Sequence, residues 1–240
     1  MPDLSARGKS PAATGAVAVE CETGPVSTDP TAEPTDLAVT APRRGRPGYD
    51  RAQVLDVAVQ LFNEQGYDAT SVSDLAQRLG LTKSALYHHF DSKEELLAIA
   101  LDSALTGLEA VLDRPEAREG AASARLRHVI AGAVEVLVDQ LPRVTLLLRV
   151  RGNSPTELAA LERRRVFDQH VSELVGAAQA EGMLRTDIAA ATATRLIFGM
   201  INSVVEWYRP GGPADRALLV HDVLAVTLDG LQSRTGVAAH

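Results

Sequence analysis

Lys83, Ser84, Ala85, Tyr87, His88 and His89 crowd into one short stretch of the chain. Their chemistry suits the major groove of a nucleic-acid duplex. An ammonium such as Lys83 reaches a guanine edge or a phosphate, a hydroxyl such as Ser84 bonds a base or a backbone oxygen, and a small methyl such as Ala85 can touch a thymine methyl. Tyr87 and His89 carry donors for phosphate oxygens. Ser71 and Lys93 stand on either side at predicted helix starts, where backbone amides also favour phosphate. A cation at Lys93 runs against the helix dipole, which prefers an anion at that end, and a phosphate partner would account for it. The adjacent histidines offer a second chemistry, metal ligation. Neighbours on a helix point about 100° apart and do not easily chelate one ion, so no metal is expected there.

Such side chains need a frame that presents them along one edge, and the flanking sequence predicts it. Asp50, with Gln53 three residues on, opens a helix whose Val54, Leu55, Ala58, Leu61 and Phe62 recur at helical spacing. Gly66 closes it. Ser71 and Asp74 open a second, short helix with Val72, Leu75, Ala76 and Leu79 on its apolar face, and Gly80 ends it. Thr82 caps a third helix, Lys83 to His89, with Leu86 and Phe90 four apart on the buried side. Ser92 and Glu95 open a longer fourth. Two short helices joined at a glycine, the second with an exposed polar face, make the helix-turn-helix pattern.

At these residues the chain matches a family. Ala69-Thr70-Ser71-Val72-Ser73-Asp74-Leu75-Ala76, then Leu79-Gly80-Leu81-Thr82-Lys83-Ser84-Ala85-Leu86-Tyr87-His88-His89-Phe90, then Ser92-Lys93-Glu94-Glu95-Leu96-Leu97, closely resembles the TetR-type (tetracycline-repressor-like) transcriptional regulators. Gly66-Tyr67 after the first helix fits as well. The resemblance implies an all-helical homodimer. Its N-terminal domain would bind a palindromic operator, and its C-terminal domain a small effector that releases the DNA. Carried onto this chain, the implied DNA contacts are Lys83, Ser84, Ala85, Tyr87, His88, His89 and Lys93.

Immediately before the first helix lies Pro42-Arg43-Arg44-Gly45-Arg46-Pro47-Gly48, three arginines among helix breakers. It reads as an extended arm from which Arg44 and Arg46 enter a minor groove, and it resembles the core of an AT-hook. The alternative is a solvated linker. Residues 1–41 differ from the rest: rich in Pro, Ala, Thr, Ser and Gly, without aromatics, with six acids against two bases. They are expected to be a disordered acidic tail, an inert extension or a screen over the basic arm. The remaining boundaries are expected at 42–97 for the arm and DNA-binding domain, 98–232 for an effector-binding and dimerisation domain, and 233–240 for a second disordered tail.

The net charge of −7 over 240 residues argues against a protein that coats nucleic acid or anionic lipid over its whole surface, though not against a local basic patch. One cysteine, Cys21, leaves no internal disulfide and no cysteine cluster for zinc. No apolar run approaches the roughly 18–20 residues of a membrane span, and no hydrophobic segment follows the charged start, so a cytoplasmic protein is expected. With 45% apolar residues the chain can bury a real core. Helical patterning persists to about Leu231 without alternation of period two, predicting an all-α fold of about nine helices. Later helices are read at about 121–140, 143–151, 155–181, 188–208 and 213–231, and Pro115 suits a helix start.

The last two helices carry Ile197, Met200, Ile201, Val204 and Val205, and Leu218, Leu219, Val223, Leu224, Val226 and Leu231. These are expected to pair with a second copy in a four-helix bundle, the alternative being internal core. The effector is less legible. Arg143, Arg149, Arg151, Arg163, Arg164 and Arg165 are either solvated beside acids such as Glu157, Glu162 and Asp168, or face a bulky anion such as coenzyme A. Trp207-Tyr208-Arg209-Pro210-Gly211-Gly212, with Phe198-Gly199-Met200, resembles a subgroup of TetR-type regulators of lipid, steroid or aromatic-acid breakdown that answer to acyl-CoA thioesters. The pocket candidates are Arg149, Phe167, His170 and Trp207. The expected function is a ligand-responsive DNA-binding regulator, a repressor released by a small molecule, with no cofactor. The alternatives are a constitutive architectural DNA binder, or a helical thioester-binding enzyme. The chain has no P-loop, no G-x-S-x-G and no H-E-x-x-H to support the last.

Overall fold

Asp50 and Gln53 form the expected reciprocal cap. The Asp50 carboxylate accepts from the Gln53 amide at 2.7 Å, and the Gln53 side chain accepts from the Asp50 amide at 3.0 Å. From there α1 runs Arg51–Gln65. The structure is a computed structural model that describes residues 49–230. Arg44, Arg46 and both expected tails lie outside the described residues. Ser71 and Asp74 make a second reciprocal cap at the start of α2 (Val72–Leu79). Gly80 follows in the left-handed region at φ 65°, where the amides of Gly80 and Leu81 turn back onto the carbonyls of Gln77 and Ala76. Thr82 then caps α3 (Lys83–Tyr87). The third helix ends two residues short of the expected His89, because the His88 amide tightens back onto the carbonyls of both Ser84 and Ala85.

Ser92 caps α4, Lys93–Asp113, a rod of roughly 30 Å at 1.5 Å per residue. It runs unbroken through the expected domain boundary, with Leu97 and Ala100 fully buried on either side. Next come α5 (Pro115–Arg118), α6 (Ala122–Asp139), α7 (Leu141–Arg149), α8 (Pro155–Ala180), α9 (Ala190–Trp207) and α10 (Arg216–Leu224). The last continues into a π-helical turn, Ala225–Asp229. Ten α-helices and no strand occur among the described residues. The helix beyond the expected nine is the single turn α5, with Pro115 in its first turn. Pro142, expected as a break, sits inside the first turn of α7, where its missing N–H costs nothing. The tenth helix starts at Arg216 rather than Pro213, because the Asp215 carboxylate caps the amides of Ala217 and Leu218.

One hydrophobic core extends from Val54 and Phe62 on α1 to Leu228 in the final turn. Both α4 and α7 pack on α1, and α4 also packs on α6 and α8, so these two helices join the first three to the rest. The α4–α6 crossing is tight. A Cβ on Gly132 would lie 2.5 Å from a Val111 methyl, so only glycine fits there. Among the described residues no helix is long and apolar enough to cross a membrane.

Candidate nucleic-acid interface and effector cavity

The frame beneath α3 is held by side chains that consume one another's charge. Arg51 donates to Glu95 at 2.7 Å and Arg78 to Glu64 at 2.6 Å. The Arg78 guanidinium holds the Glu64 carboxyl below its ordinary range. Ser71 is part of this frame: its hydroxyl and its amide both donate to the Asp74 carboxylate, at 2.7 and 2.8 Å. Those two bonds hold Asp74 below the usual carboxylate range. Lys93 is part of it as well. Its Nζ donates to the carbonyls of Tyr67 and Thr70 at 2.8 and 2.9 Å and lies 4.2 Å from the centre of the Tyr67 ring. The cation for which a phosphate partner was expected to account has partners within the protein as well. Two carbonyls and an aromatic face already explain it.

The edge that this frame presents is the reverse. Lys83, Ser84, Tyr87 and His88 are exposed, and Ala85 and His89 half-buried, while Leu86 and Phe90 are sunk in the core. The side chains of Lys83, Ser84, Tyr87, His88 and His89 make no hydrogen bond or ion pair among the described residues. Of the four bases at residues 49–97, Lys83 is the one left unengaged. Eight acids share that span, so the described head is itself net negative. Three arginines, Arg43, Arg44 and Arg46, stand just before it in sequence.

The expected pocket residues separate. Phe167 and His170 line a cleft of about 560 Å³ between α4, α5, α6 and α8. That is an ordinary volume for a small-molecule site. Phe167 is buried, and His170 is exposed with Nδ1 3.0 Å from the Val166 carbonyl. Arg149 is elsewhere: it donates to the Asn63 carbonyl at the end of α1 and so ties α7 to the head. Trp207 is also elsewhere, half-exposed on the last turn of α9 and away from the cleft. Neither lines the cleft beside Phe167, and Arg149 lines a separate hollow of about 310 Å³ with Tyr67 and Asn153. Sequence patterning could not separate them, because the partner of Arg149 is a carbonyl 86 positions away. Most of the other arginines are engaged. Arg163 holds Glu109 and Asp102 at 2.7 and 2.8 Å, Arg143 holds Asp56, and Arg118 holds Asp113. Those contacts hold the Arg163 guanidinium above its ordinary range and Glu109 below.

Two residues were missed. Glu157, 3% exposed, was read as a solvated partner for arginine. Instead its carboxylate accepts from the amides of Arg151, Gly152 and Asn153 at 2.7–3.0 Å. Burial opposes its ionisation, and the three amides outweigh that and lower its pKa. Arg125 lines the cleft with only its Nε engaged, on the Ala117 carbonyl. Its place on α6 beside Arg127 and His128 gave no signal that set it apart. Among the described residues no cluster of three or more metal-ligating side chains occurs.

Of the residues expected to pair with a second copy, Ile197, Ile201, Val204, Leu219 and Val223 are buried in the protomer, a correction to the stripe chosen from sequence, while Leu218 and Val226 stay exposed and Leu231 lies outside the described residues. The apolar side chains that α9 and the last helical segment leave outward are Leu196, Trp207, Leu218 and Val226, each more than half exposed.

Residues 54–99 match the family described as "Bacterial regulatory proteins, tetR family". Residues 119–231 match "Tetracyclin repressor-like, C-terminal domain". The chain is 30% identical over 190 residues to the HTH-type transcriptional repressor KstR2 of Rhodococcus jostii, covering 76% of this chain and 91% of that protein. SCO3833, a TetR transcriptional regulator family member from Streptomyces coelicolor, superposes with a TM-score of 0.71 at 50% identity, over 75% of this chain and 90% of that one. The ketosteroid transcriptional regulator KstR2 of Mycobacterium tuberculosis superposes at 0.67 with 26% identity, over 78% and 97%.

Proposed function

The chain belongs to the TetR family of bacterial transcriptional regulators, and on that premise we propose that it is a repressor that binds a palindromic operator as a homodimer. Each subunit lays α3 in a major groove. Lys83, Ser84 and Ala85 meet base edges, and Tyr87, His88 and His89 meet phosphates. Arg44 and Arg46 follow the adjacent minor groove and supply the charge that the head lacks. Ser71 and Lys93 act from behind by holding the loop and cap on which α3 stands. Leu196, Trp207, Leu218 and Val226 meet their counterparts in the partner subunit. The cleft beside Phe167 and His170 takes a small organic anion, an acyl-CoA thioester being the class implied by the resemblance carried by Trp207-Tyr208-Arg209-Pro210-Gly211-Gly212. The protein works in the cytoplasm, where its operator lies.

The observation that carries this reading is the row of unengaged polar side chains on α3, with Lys83 among them, set on a frame whose own charged groups are nearly all engaged. A surface that discards internal partners gains only if an external polar partner replaces them. Fluorescence anisotropy on DNA from directly upstream of the protein's own gene, at one stated salt concentration, tests it. Tight binding that a thioester or its free acid releases is the expected result. Absence of any specific site, there or across the genome, would overturn the reading.

A further inference from the structure

Phe167 lines a second space besides the cleft beside α8. It lies among α4, α6, α7, α8 and α9 and is walled by Leu108, Leu137, Val144, Leu147, Phe198 and Ile201. It measures about 30 Å³, room for a water or two. Phe167 lines both spaces. It is 2% exposed and packs edge-to-face on Phe198, ring centres 5.7 Å apart.

The inner space carries polar groups that nothing inside the protein uses. Arg164, Asp168 and Asn202 line it without a hydrogen-bond partner among the described residues. Burial pushes the Asp168 carboxyl up, and Arg164 one turn earlier partly offsets this. Partly buried donors and acceptors left unpaired beside apolar walls carry a cost that a ligand bearing one hydroxyl, keto or amide group would remove. The outer cleft is polar in another way. Its cations are neutralised except Arg125, whose terminal nitrogens remain available to an anion. The cleft is also large enough to receive a displaced phenyl ring.

We propose that Phe167 is a movable partition between the two spaces. Swung into the cleft, it admits an elongated effector whose apolar end, carrying one polar group, lies within the inner walls while its anionic head stays at Arg125. The shape excludes compact anions, because they would fill the cleft without crossing the ring. The proposal rests on reading the body as an effector domain, and the following test separates the two.

The probes are saturated fatty acids of four to sixteen carbons, titrated into the full chain by calorimetry. The variants are Phe167→Ala, Phe167→Leu and Phe167→Trp, with Met183→Leu, an exposed residue that lines neither space, as control and thermal melting to verify folding. Each methylene that enters the inner walls should tighten binding about fourfold. In the native chain that gain should begin only at a length that crosses the ring. Phe167→Leu, and Phe167→Ala if it folds, should advance the onset to shorter acids, and Phe167→Trp should abolish the gain. An identical length profile in all Phe167 variants would overturn the partition. So would a profile that Met183→Leu alters as much as the Phe167 variants do, since Met183 lines neither space. Failure of every acid to bind would overturn it too. Operator release, measured in parallel, reports on the other reading. Acids that show the ring-dependent profile but leave DNA affinity unchanged would sink the effector role and leave the partition standing.

Discussion

The outer edge of α3 and the cleft beside α8 are both rich in polar side chains, and they are built by opposite rules. Along α3, Lys83, Ser84, Tyr87 and His88 face solvent without internal partners. Around the cleft, Arg163 is divided between Glu109 and Asp102, and Arg118 is spent on Asp113. A surface that meets a polyanion gains by keeping its donors free, since each phosphate contact replaces a counterion rather than a protein bond. A cavity that must stay folded while empty gains by neutralising itself, and of the cleft's arginines Arg125 alone keeps its terminal nitrogens unengaged. The difference teaches where to look for function in a helical protein: in the groups that the fold could have paired and did not.

The sharpest way to break that comparison is at α3. Lys83→Ala and Tyr87→Ala should each weaken operator binding by about 1–3 kcal/mol, tenfold to a hundredfold, with no change in melting temperature. A lower melting temperature would mean that these side chains are part of the frame after all. Ser71→Ala should do the opposite. Loss of its cap should cost about 1 kcal/mol of stability, read by urea unfolding, and affect DNA binding only as far as α2 loosens. Arg163→Ala is smaller still. The pairs are about a third to two-thirds exposed and partly screened, so the loss should stay below about 1 kcal/mol, with operator affinity intact.

The smallest effect is in pH. The Glu157 carboxyl is lower in the folded chain than in the unfolded one, so the unfolded state binds its proton first on acidification. Its stabilisation is therefore full above the ordinary carboxylate range and disappears as pH falls through the lowered folded value. Asp168, whose folded pKa is raised, gives the reverse slope: stability declines as pH rises from the ordinary aspartate value to the raised one. Glu157→Gln should flatten the acid limb of a melting-temperature profile, and Asp168→Asn should remove the weaker opposing slope. If neither variant changes the profile, the carboxylates of the body are not held as described.

How far the sequence carried depended on how local the deciding contact is. Asp50 with Gln53, Ser71 with Asp74, and Gly80 at positive φ are settled within four residues, so the head was legible almost to the residue. Substituting Gly80 by alanine should cost roughly 1–2 kcal/mol for the same local reason. The body was legible in outline only. Leu196 and Ile197 are adjacent on α9, yet one faces out and the other in, and the more hydrophobic stripe was the core rather than the interface. Lys93 was misread because its partners lie on the loop after α1, 23 and 26 residues back. Arg149 and Trp207 were drawn towards the pocket by their chemistry, and only packing placed them outside it. The tail at 1–41 and the arm at Arg44 and Arg46 lie outside the described residues.

The near absence of unengaged cations on the head has a kinetic side. Affinity for random DNA scales with the number of phosphates neutralised, and Lys83 is the single base that α1, α2, α3 and the first turn of α4 leave free for that purpose. On the proposed reading, attraction to random DNA therefore falls to Arg43, Arg44 and Arg46 ahead of the head, so search and recognition are divided: neutralising those arginines should shorten every encounter with the duplex while α3 still tells one base edge from another.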